Sequence, residues 1–157
     1  MRLGIVADTH DNLVKIKDMI EIINENRIDF LLHAGDYVAP FALSPLDDLK
    51  CEWLGVFGNN DGERQGLQEK SAGRIKVPPY FFELDSKKIA LMHKFSYQSI
   101  KKDNRADIII FGHSHNPEIK EEEKLIINPG EVCGWLTGKS SLVILDLENL
   151  KPEIIYF

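Results

Sequence analysis

Hydrophobic and polar positions follow two regimes along the chain. In the first third, short continuous apolar runs at Leu3 to Ala7, Phe30 to Leu32 and Trp53 to Phe57 have the length and composition of buried strands. Between the first two, apolar residues recur at Leu13, Ile16, Ile20 and Ile23, the spacing of one helix face. After the second run, Pro40 and Pro45 interrupt the chain, and a short helix is expected near Leu46 to Leu49. Strands joined by helical segments predict right-handed crossovers, and so a largely parallel sheet covered by helices.

The second half changes character. Tyr80 to Leu84 and Lys88 to Met92 flank Asp85-Ser86-Lys87 as a hairpin, and Phe95 to Lys102 reads as a helix before the run Asp107 to Phe111. Further strands are expected at Pro117 to Lys120, Leu125 to Ile127, Leu142 to Leu147 and Glu153 to Tyr156, with glycines 130, 134 and 138 breaking the chain between them. This pattern predicts an α/β fold with two mixed sheets packed face to face and helices outside. No internal repeat is present, and Pro78-Pro79 is too short a linker, so residues 1–157 are expected to form a single domain.

Composition narrows the function classes. A chain of 157 residues with 43% hydrophobic content can bury a core of its own. The net charge of -6 argues against a long nucleic-acid partner, because phosphate binding requires clustered Lys and Arg. The charge-rich stretch Glu118 to Lys124 mixes both signs and reads as a solvated hairpin. No apolar stretch approaches the roughly 20 residues that cross a bilayer, and Met1-Arg2 runs directly into a strand, so a cytoplasmic protein is expected. Cys51 and Cys133 are not spaced as a metal pair and are expected to be free thiols, Cys51 within an apolar run.

Five apolar runs end in residues suited to binding a cation: Ala7 into Asp8-Thr9-His10, Leu32 through His33 into Gly35-Asp36, Phe57 into Gly58-Asn59-Asn60-Asp61, Met92 into His93, and Phe111 into Gly112-His113-Ser114-His115. Strand ends of an α/β sheet converge on one edge, so five loops separated in sequence can share a site. In an extended segment, residues two apart point to one side, which pairs Asp8 with His10 and His113 with His115, and turns Thr9 and Ser114 away. Gly35, Gly58 and Gly112 suit a chain that must turn sharply beside an ion. The donors, imidazoles with carboxylates and an amide oxygen, suit Mn, Fe, Co, Ni or Zn. Seven ligands, Asp8, His10, Asp36, Asn59, His93, His113 and His115, exceed the needs of one ion. Two ions about 3.5–4 Å apart match the two-metal hydrolytic arrangement, with Asp36 as the candidate bridge. His33 lies inside its strand run and is read as a core side chain. Asp61 is read either as orienting an imidazole or as an ordinary turn residue before Gly62. Arg64, Lys94 and Arg105 are the cations available for substrate phosphate, with no basis in sequence for choosing among them.

Through Asp8-x-His10, Gly35-Asp36, Gly58-Asn59-x-Asp61, His93 and Gly112-His113-x-His115, the chain resembles the calcineurin-like metallophosphoesterases, and most closely their small single-domain phosphodiesterase subgroup. The resemblance spans nearly the whole chain. It implies a four-layer α/β/β/α sandwich with the site at the strand C-terminal ends. It also implies one divalent ion on Asp8, His10, Asp36 and His115, and a second on Asp36, Asn59, His93 and His113. The implied activity is hydrolysis of a small phosphodiester by a metal-bridging water, without a membrane partner; a homo-oligomer is compatible with the sequence. Many members carry a histidine where this chain has Asn60. An amide can contact a phosphoryl oxygen but cannot act as a general acid near neutral pH, so a diester preference is expected. The resemblance extends to a retromer-coat subunit on the same fold, which makes a non-catalytic protein scaffold the alternative.

Overall fold

The computed structural model describes residues 1–95 and 105–157. Eleven strands form two mixed sheets among these residues. The first has the order β11-β10-β1-β2-β3-β4, built from β1 (Arg2–Val6), β2 (Phe30–His33), β3 (Glu52–Val56), β4 (Ile75–Lys76), β10 (Ser141–Asp146) and β11 (Lys151–Tyr156). Strands β1 to β4 run parallel, and β10 and β11 close the sheet antiparallel. The second has the order β5-β6-β7-β9-β8, from β5 (Tyr80–Leu84), β6 (Lys87–Leu91), β7 (Ile108–Ile110), β8 (Pro117–Glu121) and β9 (Leu125–Pro129). Here β6, β7 and β9 are parallel, with antiparallel strands at both edges.

Strand periodicity explains how the sheets meet. Leu3 and Ile5 point inward against Leu32, Val56, Leu91, Ile108, Ile110, Ile127, Val143 and Leu145, which fill the space between the sheets. Val6, Leu31 and Ile144 point the other way, onto helix α1 (Leu13–Glu25) through Ile16, Met19, Ile20 and Ile23. Asn12 caps α1 by accepting from the Lys15 N–H at 3.3 Å. A 3-10 segment at Pro40–Asp48 and helix α2 (Arg64–Lys70) complete this outer layer. On the far side of the second sheet, Ala90, Met92, Ile109, Phe111 and Ile126 form a third apolar cluster.

The expected α/β fold with two mixed sheets is therefore present, and the differences are local. The short helix expected at Leu46 to Leu49 is instead the last part of the longer 3-10 segment, whose Pro45 lacks the N–H an α-helix needs. Helix α2 and strand β4 had no sequence signal: α2 buries only Leu67 and contains Gly66, and β4 is two residues long. The hairpin turn is Asp85-Ser86, both left-handed at φ 49° and 62°, so Lys87 already belongs to β6. Cys51 is half-buried at the edge of the helix-side core, and Cys133 is buried; both are free. The helix expected from Phe95 to Lys102 falls largely on residues 96–104 and lies outside the described residues. Among the described residues, no helix is long and apolar enough to cross a membrane.

Candidate metal centre

Parallel neighbours end on the same edge, so the exits of β1, β2 and β3 in one sheet meet those of β6 and β7 in the other. All seven residues singled out by the strand-exit pattern converge there. Asp8 Oδ1 lies 3.6 Å from His10 Nε2 and 3.5 Å from His115 Nε2. Asp36 Oδ2 lies 3.5 Å from His10 Nε2 on one side and 3.3 Å from His93 Nε2 on the other. Asn59 Oδ1 is 2.9 Å from His93 Nε2. His113 joins through its ring, edge-on to His93 at 5.1 Å, and its backbone N–H donates to Asp8 Oδ2 at 3.0 Å.

The convergence comes from a backbone different from the extended one that alternation assumes. Asp8, His10, Asp36, His113 and His115 all have positive φ, between 39° and 70°. These left-handed residues coil the first, second and fifth loops, at a cost on the order of 1–3 kcal/mol per non-glycine residue, and the strand ends hold them there. Thr9 and Ser114 do turn away, Thr9 toward Asp36 O and His33 at 3.3 Å and Ser114 toward the Asn128 amide at 2.9 Å. The ligand loops also approach one another closely. A Cβ on Gly58 would overlap Asp36 Oδ1, and one on left-handed Gly35 would stand 2.8 Å from Gly58 N.

The donor atoms fit a cation. Asp8 Oδ1 and His10 Nε2 are buried without a hydrogen-bond partner, a costly state for polar atoms unless an ion satisfies them. The His93 Nδ1–H donates to Ala34 O at 2.8 Å, so Nε2 is left facing two oxygens, Asn59 Oδ1 and Asp36 Oδ2. Burial opposes protonation of His93, and Asp36 more than offsets it, raising the imidazole above its ordinary value. Burial likewise works to raise the Asp36 carboxyl, but hydrogen bonds with His93 and from Asn60 hold it well below the carboxylate range. Against burial, each shift owes most to the other group, as expected of a carboxylate and an imidazole in contact. Two neighbouring donor clusters emerge, Asp8 with Asp36 and His93, and His10 with His115 and Cys133.

Residues behind the ligands fix their orientation. His33 is fully buried against Tyr37, and its Nδ1 accepts from Gly35 N at 3.1 Å. Burial, aided by His93, lowers it to about 3, so it stays neutral and braces the turn before Asp36. Asp61 follows neither expectation: its carboxylate accepts from the backbone N–H groups of Asp36, Val38 and Gly58, tying the second and third loops together. Asn60 donates from its backbone and side chain to the two oxygens of Asp36, at 2.8 and 2.7 Å. Arg64 lies over Phe57 and reaches Asp61 O and Gly58 O, Arg105 lies over Phe81 on the far face of the second sheet, and exposed Lys94 follows His93 directly in the chain.

Sequence reasoning missed a sixth loop. Strand β9 is parallel to β7 and also ends at this edge. Its Asn128, fully buried, donates to Gly112 O and Ser114 Oγ and so shapes the fifth loop. Glu131, also fully buried, accepts from His115 Nδ1 at 2.6 Å, Thr137 N at 2.6 Å, Thr137 Oγ1 at 2.8 Å, Cys133 Sγ at 3.0 Å and Leu136 N at 3.0 Å. Burial alone would raise this carboxyl, yet the donors, His115 first, hold it at about 2. A carboxylate on Nδ1–H turns the His115 Nε2 lone pair toward Asp8, the arrangement that tunes a metal-binding imidazole. The signal was Asn128-Pro129-Gly130-Glu131 after an apolar run, where Pro and Gly read only as a break.

A profile of the calcineurin-like phosphoesterase superfamily domain matches residues 1–150. The chain belongs to this superfamily. It is 36% identical to a phosphodiesterase of Methanocaldococcus jannaschii, with 95% of each chain covered. The fold superimposes on the solved structure of an archaeal phosphodiesterase with a TM-score of 0.93 at 33% identity, over all of both chains. It also superimposes on Vps29 of Entamoeba histolytica complexed with zinc, with a TM-score of 0.64, 20% identity, and 100% and 98% of the two chains covered; at that identity only the fold is shared. Membership in the calcineurin-like phosphoesterases establishes a phosphoesterase domain, and the candidate donor clusters sit at the strand ends.

Proposed function

We propose that this chain is a dinuclear metal-dependent phosphodiesterase acting on a small phosphodiester with water as the nucleophile. The observation that carries this is the position of Asp36 Oδ2, one carboxylate oxygen lying within 3.5 Å of imidazoles from two different donor groups. Asp8, His10, Asp36 and His115 would hold one ion, and Asp36, Asn59, His93 and His113 the other. The nitrogen and oxygen donors suit Mn, Ni, Fe, Co or Zn. Such ions, when bound, supply Lewis-acid charge to phosphoryl oxygens and lower the pKa of a water toward about 7.

The protein's own residues account for the rest. Thr9 and Ser114 are hydrogen-bonded away from the ligands, so neither hydroxyl is placed to attack phosphorus. Asn60 donates to both oxygens of Asp36 and, being an amide, would supply no acid to a leaving group. That favours diesters with competent leaving groups over monoesters. Asp8 Oδ1 and His10 Nε2, buried without partners, support a bound cation, and turnover is what separates an enzyme from a metal-binding scaffold on the same fold.

The test is an assay of metal-stripped protein on a chromogenic phosphodiester and the matching monoester, with Mn²⁺, Ni²⁺ or Mg²⁺ added separately. Metal-dependent turnover with the diester preferred is expected. Two bound ions with no turnover of either ester would overturn the enzyme and leave the scaffold.

A further inference from the structure

Trp135 and Leu136 are 64% and 74% exposed, two large apolar side chains side by side facing solvent. Such exposure often marks a loose loop, but this loop is held at several points. Glu131 accepts from Leu136 N, Thr137 N and the Thr137 hydroxyl. The Asn12 amide donates to Cys133 O at 2.9 Å, and Gly134 and Gly138 take the left-handed turns on either side. The indole itself is tied to the site: Trp135 Nε1–H donates to the backbone oxygen of His10 at 3.4 Å. His10 Nε2 is, with Asp8 Oδ1, one of the two atoms of the candidate centre buried without a hydrogen-bond partner, and its ring stacks against His115 at 5.1 Å. Among the described residues, no ring or cation contact is seen on the indole face.

We infer that Trp135 is the specificity-determining residue of this site, a fixed platform on which a nucleobase carried on the retained side of the diester, and not its leaving group, stacks while the phosphate sits among the candidate ligand side chains. The inference rests on the phosphodiesterase reading above. An indole tethered by its edge keeps its π-face for a ligand, and a ring ordered in advance loses little entropy on stacking. Stacking is sequence-tolerant and needs no basic groove, which suits an acidic chain without basic runs and so a small aromatic diester rather than a long strand.

The test compares two diesters that share a leaving group, thymidine 5′-(p-nitrophenyl phosphate) and methyl p-nitrophenyl phosphate, on wild type, Trp135→Ala and Trp135→Phe loaded with Mn²⁺. Loss of one base–aromatic stack is worth about tenfold in affinity. Trp135→Ala is therefore expected to raise KM for the thymidine ester about tenfold relative to the methyl ester, with kcat moving little, and Trp135→Phe to restore most of the difference. An equal change for both esters, or no change, overturns the inference. Sedimentation that shows a wild-type dimer becoming monomeric in Trp135→Ala also overturns it, because the face would then be a contact between copies. Calorimetric binding of thymidine 5′-monophosphate and methyl phosphate decides the same point without turnover. If wild type hydrolyses neither ester, the phosphodiesterase reading fails, whereas selective loss of nucleotide binding in Trp135→Ala still supports the platform and equal binding by both proteins refutes it.

Discussion

Glu131→Gln isolates the effect of one buried carboxylate on the metal centre. Glutamine has nearly the shape of glutamate, and its carbonyl oxygen can still accept from Thr137 N, the Thr137 hydroxyl and Leu136 N. Its amide must then face the His115 Nδ1–H, which now donates to the carboxylate at 2.6 Å. Two donors cannot share that contact. The imidazole resolves the conflict by moving its proton to Nε2, the nitrogen aimed at Asp8, and an Nε2–H cannot ligate an ion. Losing a carboxylate behind a metal-binding imidazole costs about 10–100-fold in metal affinity, which at 1.4 kcal/mol per tenfold is about 1.4–2.8 kcal/mol. The contact with His115 survives with its direction reversed and without charge, and the bond from Cys133 is lost, so the fold should weaken by on the order of 1–2 kcal/mol. Chelator competition for Mn²⁺ measures the affinity, and thermal unfolding of the metal-stripped protein measures the fold separately. Wild-type affinity for both ions in Glu131→Gln would refute the orienting role.

Two further substitutions probe the neighbouring loops. Asn60→His supplies the acid the site lacks and should raise monoester hydrolysis by about 10²-fold or more where leaving-group protonation limits the rate; an unchanged monoester-to-diester ratio in the chromogenic assay would contradict this. Gly58→Ala places a methyl group over Asp36 Oδ1, which should cost about 1–3 kcal/mol, lower the melting temperature by several degrees and reduce the metal content seen by elemental analysis. Full occupancy and an unchanged melting curve would show that the two loops do not need their close approach.

How much of this was legible in the sequence depended on whether the signal was local. The buried strands β1, β2, β3 and β7 announce themselves as apolar runs because both faces are covered, and the face of α1 appears in Ile16, Ile20 and Ile23. Helix α2 buries a single leucine, so it has no periodicity to detect. The seven converging residues were legible because each follows an apolar run, a rule that needs only parallel strands. The rule found them while missing how they converge: Asp and His are enriched in the left-handed region, but that preference is too weak to single out Asp8, His10, Asp36, His113 and His115 without the packed strand ends that hold them there. Asp61 looked like a turn residue or an imidazole partner, but the three N–H groups it accepts come from two loops brought together only by folding. Glu131 was hidden because its partners lie both 16 residues before it and up to 6 after it, and a lone glutamate after Pro-Gly has no distinguishing mark.

The division of the donors between the sheets has a consequence for how the site fails. Asp8, His10, Asp36 and Asn59 hang from one sheet, and His93, His113 and His115 from the other. The apolar filling between the sheets, Ile5 and Leu32 against Leu91 and Ile110, is thus the spacer that sets the gauge of the centre. A close-packed interior yields little when atoms are removed, but what it yields is transmitted as a shift of one wall against the other. Trimming a side chain deep in that filling would detune the candidate metal centre while the domain still melts as a folded protein, so lesions in this protein need not lie near the centre to silence it.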